Sequence, residues 1–226
     1  MAARDWCAVT EFVYGARAVA EAKRGRRRVI RVVTSAEAET GELERLAGSP
    51  DHQGIIAEVD PYPYADPAAL VERDDALVVA LDQVQDPHNL GAVCRSAEAA
   101  GATGVVIPDR RAASVTGAVC KASAGAVEHL PVARVRNLAD WLVQAKAREG
   151  LWVYGASGEA REPYTGADLT GPTVLVLGSE GRGLRPRVTE ACDVLVSIPL
   201  RGRTVSLNVS SAAAVLLFEA VRQREA

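Results

Sequence analysis

The sequence predicts an α/β fold built on a mostly parallel sheet, preceded by a small N-terminal α/β domain. Three observations carry this. From residue 76 the apolar runs ALVVALD, GVVIP, LWVYGA, TVLVLGS and DVLVSIPL lack polar alternation and are rich in Val and Leu, as strands covered on both faces are. Helical segments lie between them, over 90–100, 113–123, 138–148 and 209–222, with a short turn over 186–191. That alternation implies parallel strands joined by crossover helices. The 226 residues are 48% hydrophobic and 24% charged, enough for one sizeable core and an accessory domain.

In the N-terminal part, residues 12–24 (FVYGARAVAEAKR) carry apolar positions at helical spacing, and RRRVIRVVT then reads as a strand. The polar segment EAETGELERLAG is helix-like, and SPDHQGIIAEV places turn residues before a short strand. The prolines and tyrosines of PYPYADPAAL mark a linker. The predicted organisation is therefore residues 1–62 as the small domain, 63–75 as linker and 76–226 as the main domain.

No apolar run approaches the roughly 20 residues of a membrane span, and MAARDWCAVTEF holds acidic and polar residues where a signal peptide is apolar. A cytoplasmic protein with no membrane contact is expected. Cys7, Cys94, Cys120 and Cys192 form no CxxC pair and stand far apart, which argues against zinc or a disulfide scaffold; they read as small buried apolar residues, and no metal site is expected. Net charge is only −3, yet residues 1–31 hold eight Lys/Arg against three Asp/Glu, a local basic patch suited to a polyanion. From charge alone the patch reads equally as a solvated helix end; with a polyanionic partner, Lys23 to Arg28 are the expected phosphate contacts. His52 and His88 adjoin turn residues, and with His129 they read as structural or solvated.

In open α/β sheets ligands gather beyond the carboxyl ends of the strands. Three loops stand out there. After ALVVALD, Asn89 is placed to cap a helix opening at Leu90, Gly91 thins that helix for close approach, and Arg95 lies among Leu90, Val93 and Ala97, where a guanidinium either needs an anionic or carbonyl partner or is a plain surface charge. After TVLVLGS, three glycines surround Glu180 and Arg182, an order unlike the GxGxxG of dinucleotide folds. After DVLVSIPL, Ser206, Asn208, Ser210 and Ser211 crowd the start of the last helix; caps use one or two such residues, so the surplus faces a polar or anionic ligand group.

Together these loops resemble the SpoU family of RNA ribose 2′-O-methyltransferases, within the SPOUT superfamily. DPHNLGAVCRSAEAAG, LVLGSEGRGL and SIPLRGRTVSLNVSSAAAVLLFEA match its three motifs in order, and the likeness covers residues 76–224. VYGARAV, HQGIIAEV and KASAGAVEHLPVARVRNL resemble the subgroup that methylates a guanosine of 23S rRNA, whose small N-terminal domain binds RNA; between VVTSAEAET and HQG this chain is shorter than that pattern.

The resemblance implies an S-adenosylmethionine-dependent enzyme, a C-terminal trefoil knot that holds the cofactor, and a homodimer with the site near the subunit interface. It implies cofactor contacts from main-chain groups around Leu177, Gly178, Ile198, Leu200 and Leu207, and a catalytic set of Asn89, Arg95, Glu180, Ser206 and Asn208. A guanidinium is a poor base, so Arg95 is expected to act as phosphate clamp and electrostatic activator. The alternatives are the same chemistry on tRNA or on an rRNA adenosine of the antibiotic-resistance type, or a non-catalytic RNA-binding assembly factor.

Overall fold

A computed structural model describes residues 10–39 and 41–226. The elements run β1 (Glu11–Tyr14), α1 (Ala16–Ala22), β2 (Val29–Thr34), α2 (Glu42–Ala47), β3 (Ile55–Val59), β4 (Leu77–Asp82), α3 (Pro87–Ala99), β5 (Gly104–Pro108), α4 (Gly117–Ala122), β6 (Val132–Val135), α5 (Leu138–Ala145), β7 (Trp152–Ala156), β8 (Glu162–Pro163), β9 (Thr173–Gly178), α6 (Pro186–Ala191), β10 (Val194–Ser197) and α7 (Val209–Arg224). The first three strands form an antiparallel sheet of order β1-β3-β2, and the other seven a parallel sheet of order β6-β5-β4-β9-β7-β10-β8.

The expected parallel strands all form. LVVALD of β4 is buried at every position, which is why it tolerates no polar alternation. It pairs in register with β9 from Leu77↔Thr173 to Asp82↔Gly178, so the loops leaving these two strands start side by side. One face of the sheet is covered by α3, α4 and α7 and the other by α5 and α6, each face having its own apolar core. The long α7 lies against α3 and β9.

Two sequence expectations need correction. Residues 12–24 are not one helix: Phe12 to Tyr14 pair with β3, the chain turns at Gly15, and only Ala16–Ala22 is helical. The helix expected over 113–123 shrinks to Gly117–Ala122, because the Ala113 N–H is bonded to the Val84 carbonyl and the Val115 N–H to the Tyr64 hydroxyl. VARV, which the sequence reading did not assign, forms β6 at the sheet edge. Within the segment 63–75, Ala65 bridges to Ala133, and Leu70 and Val71 are buried in the second core.

The antiparallel sheet docks on the α4 side through polar contacts as well as its share of the main core. Arg27 is buried, with Nε donating to Glu128 Oε2 at 3.0 Å, Nη1 to Glu11 Oε2 at 2.8 Å, and Nη2 to Glu128 Oε1. The Tyr62 hydroxyl bonds the Val127 and Leu130 carbonyls, and Arg26 reaches Tyr62 and Leu130. The basic patch is thus largely spent internally: Arg24 pairs with Glu21, Arg28 with Asp60 and Arg31 with Glu58, and Arg26 and Arg27 hold the two sheets together. Apart from Glu21, the carboxylates that pair with it come from remote segments. Cys94 and Cys120 are buried and Cys192 is half-buried, and burial pushes all three thiols up to about 12, as inert apolar residues. Cys7 lies outside the described residues. Among those described, no helix is long and apolar enough to cross a membrane and no group of three or more His, Cys, Asp or Glu is assembled.

Two stability predictions follow from these contacts. Arg27→Met leaves Glu128 buried and unpaired and is expected to cost about 3–5 kcal/mol in urea unfolding, while the double variant Arg27→Met/Glu128→Leu recovers most of that loss. At the C-terminus, hydrogen bonds from Arg222 and then Gln223 hold the buried Glu219 carboxyl at about 2. A depressed carboxyl stabilises the fold above the ordinary range near pH 4 and loses that contribution as pH falls towards 2. Unfolding followed by circular dichroism should show a component lost in this window, and Glu219→Gln should remove it.

Candidate active site

The site starts from a buried charge. Asp82 ends β4 with its side chain wholly buried, and its carboxylate accepts from the Arg185 N–H at 2.8 Å, from Arg185 Nε at 2.8 Å and from Nη2 at 2.7 Å. This clamp closes the loop 179–185 onto the sheet edge. Gly178, beside Asp82, packs so closely on the Gly183 carbonyl group that a Cβ has no room there. Ser179 and Gly183 form a bridge that turns the loop back on itself, with Glu180 exposed at its tip.

Glu180 there meets the other two loops. Asn208 Nδ2 donates to Glu180 Oε1 at 2.5 Å and to Asn89 Oδ1 at 2.9 Å, and Asn89 Nδ2 reaches Glu180 Oε1 at 3.3 Å. Residues 91 and 28 positions away from Glu180 thus close a triangle of polar side chains. Asn208 also caps α7: its Oδ1 accepts from the Ser210 N–H at 2.8 Å and the Ser210 hydroxyl at 2.6 Å. One amide therefore serves as cap through its oxygen and as site residue through its nitrogen. A cleft of about 290 Å³ opens beside the triangle, lined by Gln83, Gln85, Asn89, Glu180, Arg182 and Val209 among others.

Two local readings of the first loop are corrected. The cap of α3 is Asp86, whose Oδ1 accepts from the His88 N–H, with Pro87 in the first turn; Asn89 is released from capping and turns to Glu180. Gly91 makes room not for a ligand but for α4, since a Cβ there would run into Ala122 and the main chain at Val119 and Ser123.

The remaining predicted residues divide. Arg95 is exposed on α3 and makes no hydrogen bond or ion pair among the described residues. Six residues beyond Asn89 on a helix, it lies about 240° further round and about 9 Å further along the axis, outside the triangle. Ser206 is exposed, and Ser211 sits exposed in the first turn of α7. Leu177 is buried in β9, Gly178 and Ile198 are half-buried, and Leu200 and Leu207 are 37% and 39% exposed. Residues 198–207 contribute no main-chain hydrogen bond among the described residues. Residues 199–208 are exposed, so these amides and carbonyls are solvated and open to a ligand; with Leu200 and Leu207 beside them they suit a flat heteroaromatic group with donors and acceptors at its edge.

Sequence reasoning missed Asp82 and Arg185. Their signal was present: an acid closing a fully apolar strand is costly to bury and demands a cation.

Fold and site together define an α/β protein with a polar cluster, built from three loops at the carboxyl edge of a parallel sheet, beside a cleft. The SpoU rRNA Methylase family model matches residues 76–218, and the chain belongs to this family. It is 48% identical over 179 residues to the 23S rRNA (guanosine-2′-O-)-methyltransferase RlmB of Pseudomonas putida, covering 77% of this chain and 72% of that one. It is 44% identical over 193 residues to a Synechocystis tRNA/rRNA methyltransferase, of which it spans 50%. Among solved structures, the SpoU methyltransferase AviRb from Streptomyces viridochromogenes, in complex with the cofactor AdoMet, superimposes with a TM-score of 0.79 at 30% identity, covering 96% of this chain and 91% of that one.

Gly178→Ala is expected to displace the 179–185 loop, because the added methyl falls on main chain rather than on a side chain that can swing away. The expected cost is about 1–3 kcal/mol in thermal unfolding, with loss of S-adenosylmethionine binding in calorimetry.

Proposed function

We propose that this chain transfers a methyl group from S-adenosylmethionine to a ribose 2′-hydroxyl of RNA, with a guanosine of 23S rRNA as the target. The observation that carries the reading is the convergence of Asn89, Glu180 and Asn208 beside a cleft, in a chain that belongs to a family of rRNA methylases.

The donor set fits the cofactor. Main-chain groups of residues 198–207, together with Leu177 and Gly178, would hold its adenine, ribose and methionine parts, with Ile198, Leu200 and Leu207 as the apolar walls. When bound, S-adenosylmethionine supplies an electrophilic methyl on a cationic sulfur. The protein's task is the nucleophile, a weakly acidic hydroxyl that needs alignment and help in losing its proton. Glu180 already accepts from two amides, so it fixes the orientation of Asn89 and Asn208, and through them the ribose. Arg95, always charged, clamps a phosphate and stabilises developing negative charge on the hydroxyl oxygen. Ser206 positions the methionine end or the target phosphate.

The position of Arg95 outside the triangle of its own chain supports a homodimer with the site near the subunit interface. The return of the chain from β10 at the flank of the sheet to α7 against α3 and β9 supports a C-terminal trefoil knot. In this reading residues 1–62 bind RNA, 63–75 join them to the methyltransferase domain 76–226, and the enzyme works in the cytoplasm.

The deciding experiment is transfer of labelled methyl from S-adenosylmethionine to 23S rRNA, with the product mapped as a linkage resistant to alkali, since a blocked 2′-oxygen cannot attack its phosphate. Label on a tRNA or an adenosine would redirect the target, and no transfer would leave a binding factor. Arg95→Ala is expected to reduce transfer at least a hundredfold, on the order of an activating-group loss, while cofactor affinity in calorimetry stays within about twofold.

A further inference from the structure

The arginines of the parallel-sheet lobe are unevenly spent. Arg148, Arg185, Arg187, Arg222 and Arg224 are all bonded, whereas those that make no hydrogen bond or ion pair among the described residues include Arg110, Arg111, Arg136, Arg182, Arg201 and Arg203. These six follow the carboxyl ends of β5, β6, β9 and β10, the edge that carries the cleft.

Arg110 and Arg111 stand on the segment with the most informative attachments. The Asp109 N–H is bonded to the Val135 carbonyl at the end of β6. The Ala113 N–H is bonded to the carbonyl of Val84, a residue lining the cleft. The Val115 N–H is held by the Tyr64 hydroxyl, and Gly117, which follows, packs against the Phe12 main chain and the Tyr14 ring of the antiparallel sheet. The segment therefore spans from the cleft to the N-terminal sheet. Within it both arginines are exposed, and Arg111 has φ 58°, a left-handed conformation unusual for a residue with a long side chain. Asp109 offsets one of the two charges and leaves the segment net positive. Exposed, uncompensated guanidinium groups on a backbone tied at three points are pre-placed donors for phosphate.

We propose that residues 109–116 form the track along which the RNA runs from the cleft to the N-terminal sheet, with Arg110 and Arg111 gripping phosphates beside the target nucleotide. This rests on RNA being the substrate, as proposed above. It also reassigns the phosphate grip from Lys23–Arg28, which is largely paired, to the β5–α4 connection.

The test compares the wild-type chain with R110A/R111A, R110K/R111K and R110A for binding of a labelled single-stranded RNA oligonucleotide across a salt series, and for methyl transfer to a 23S rRNA transcript. Two lost phosphate contacts should lower the slope of log affinity against log salt by about 1.4, and one by about 0.7. The expected result is that slope change, a roughly tenfold weaker RNA affinity for the double alanine variant, a rise in KM for RNA larger than the fall in kcat, and recovery by R110K/R111K, since lysine still meets phosphate as a point charge. Calorimetry with S-adenosylmethionine reports whether the double variant is folded; if it is not, R110A decides. An unchanged slope overturns the proposal, even if the wild type methylates RNA. A wild type that shows the Arg-dependent slope but transfers no methyl leaves this proposal standing and removes the catalytic reading, and a wild type that binds no RNA removes both.

Discussion

The site depends on one buried charge. Asp82 sits where β4 ends, between β5 and β9, with no exposed surface, and it is tolerable there only because Arg185 presents a backbone N–H and a guanidinium to it. That demand determines where the chain must return after β9. The return path, 179–185, is short, so its tip is placed by its two ends, Gly178 in register with Asp82 and Arg185 bonded to Asp82. Glu180 is that tip. The trio of Asn89, Glu180 and Asn208 thus inherits its geometry from an ion pair at the foot of the loop. The Arg185 side chain remains 43% exposed, so part of its charge is still solvated and the burden of burial falls on the aspartate.

The N-terminal sheet is held by a second buried pair of the same logic. Arg27 and Glu128 have side chains 1% exposed and lie 101 residues apart, and their union with Glu11, Cys120 and Tyr62 leaves the two sheets sharing one apolar core. A charged pair in such a place adds little net stability compared with apolar side chains of the same shape, but it penalises every other docking angle. The consequence for the site is geometric. The antiparallel sheet stands beside α4, at the end of the segment that begins at the cleft, so a long ligand following that segment out of the cleft meets both sheets.

Much of this was legible in the sequence. The five apolar runs became strands because strands covered on both faces need no polar alternation, and the three loops met because parallel strands put all their carboxyl ends on one edge. What was not legible turned on competition between neighbours. Asn89 read as a cap because its helix seemed to open at Leu90; Asp86 and Pro87 open it one turn earlier and release Asn89 for the site. Gly91 read as space for a ligand, but a helix 30 residues on occupies that space. FVY had helical spacing and became a strand, because β3 offered it an antiparallel partner that local pattern does not contain. The acids that pair with Arg27, Arg28 and Arg31, namely Glu128, Asp60 and Glu58, are remote in sequence, so no local pattern shows how much of the basic patch is paired.

The two polar helix starts resolve differently, and the difference bears on the chemistry. At α3 the cap and the site residue are separate side chains, Asp86 and Asn89. At α7 Asn208 does both tasks, its oxygen committed to Ser210 and its nitrogen to Glu180 and Asn89. Asn208 therefore cannot turn its oxygen outward without uncapping a 16-residue helix that carries part of the main core. Its amide is locked as a donor towards Glu180, and Glu180 is in turn locked as an acceptor. Both amides bond the same carboxylate oxygen, Oε1, so Glu180 holds Asn89 and Asn208 in one orientation. The triangle is best understood as a rigid orienting frame, which leaves electrostatic activation to the one polar residue of the predicted set that stands on an α-helix outside it, Arg95.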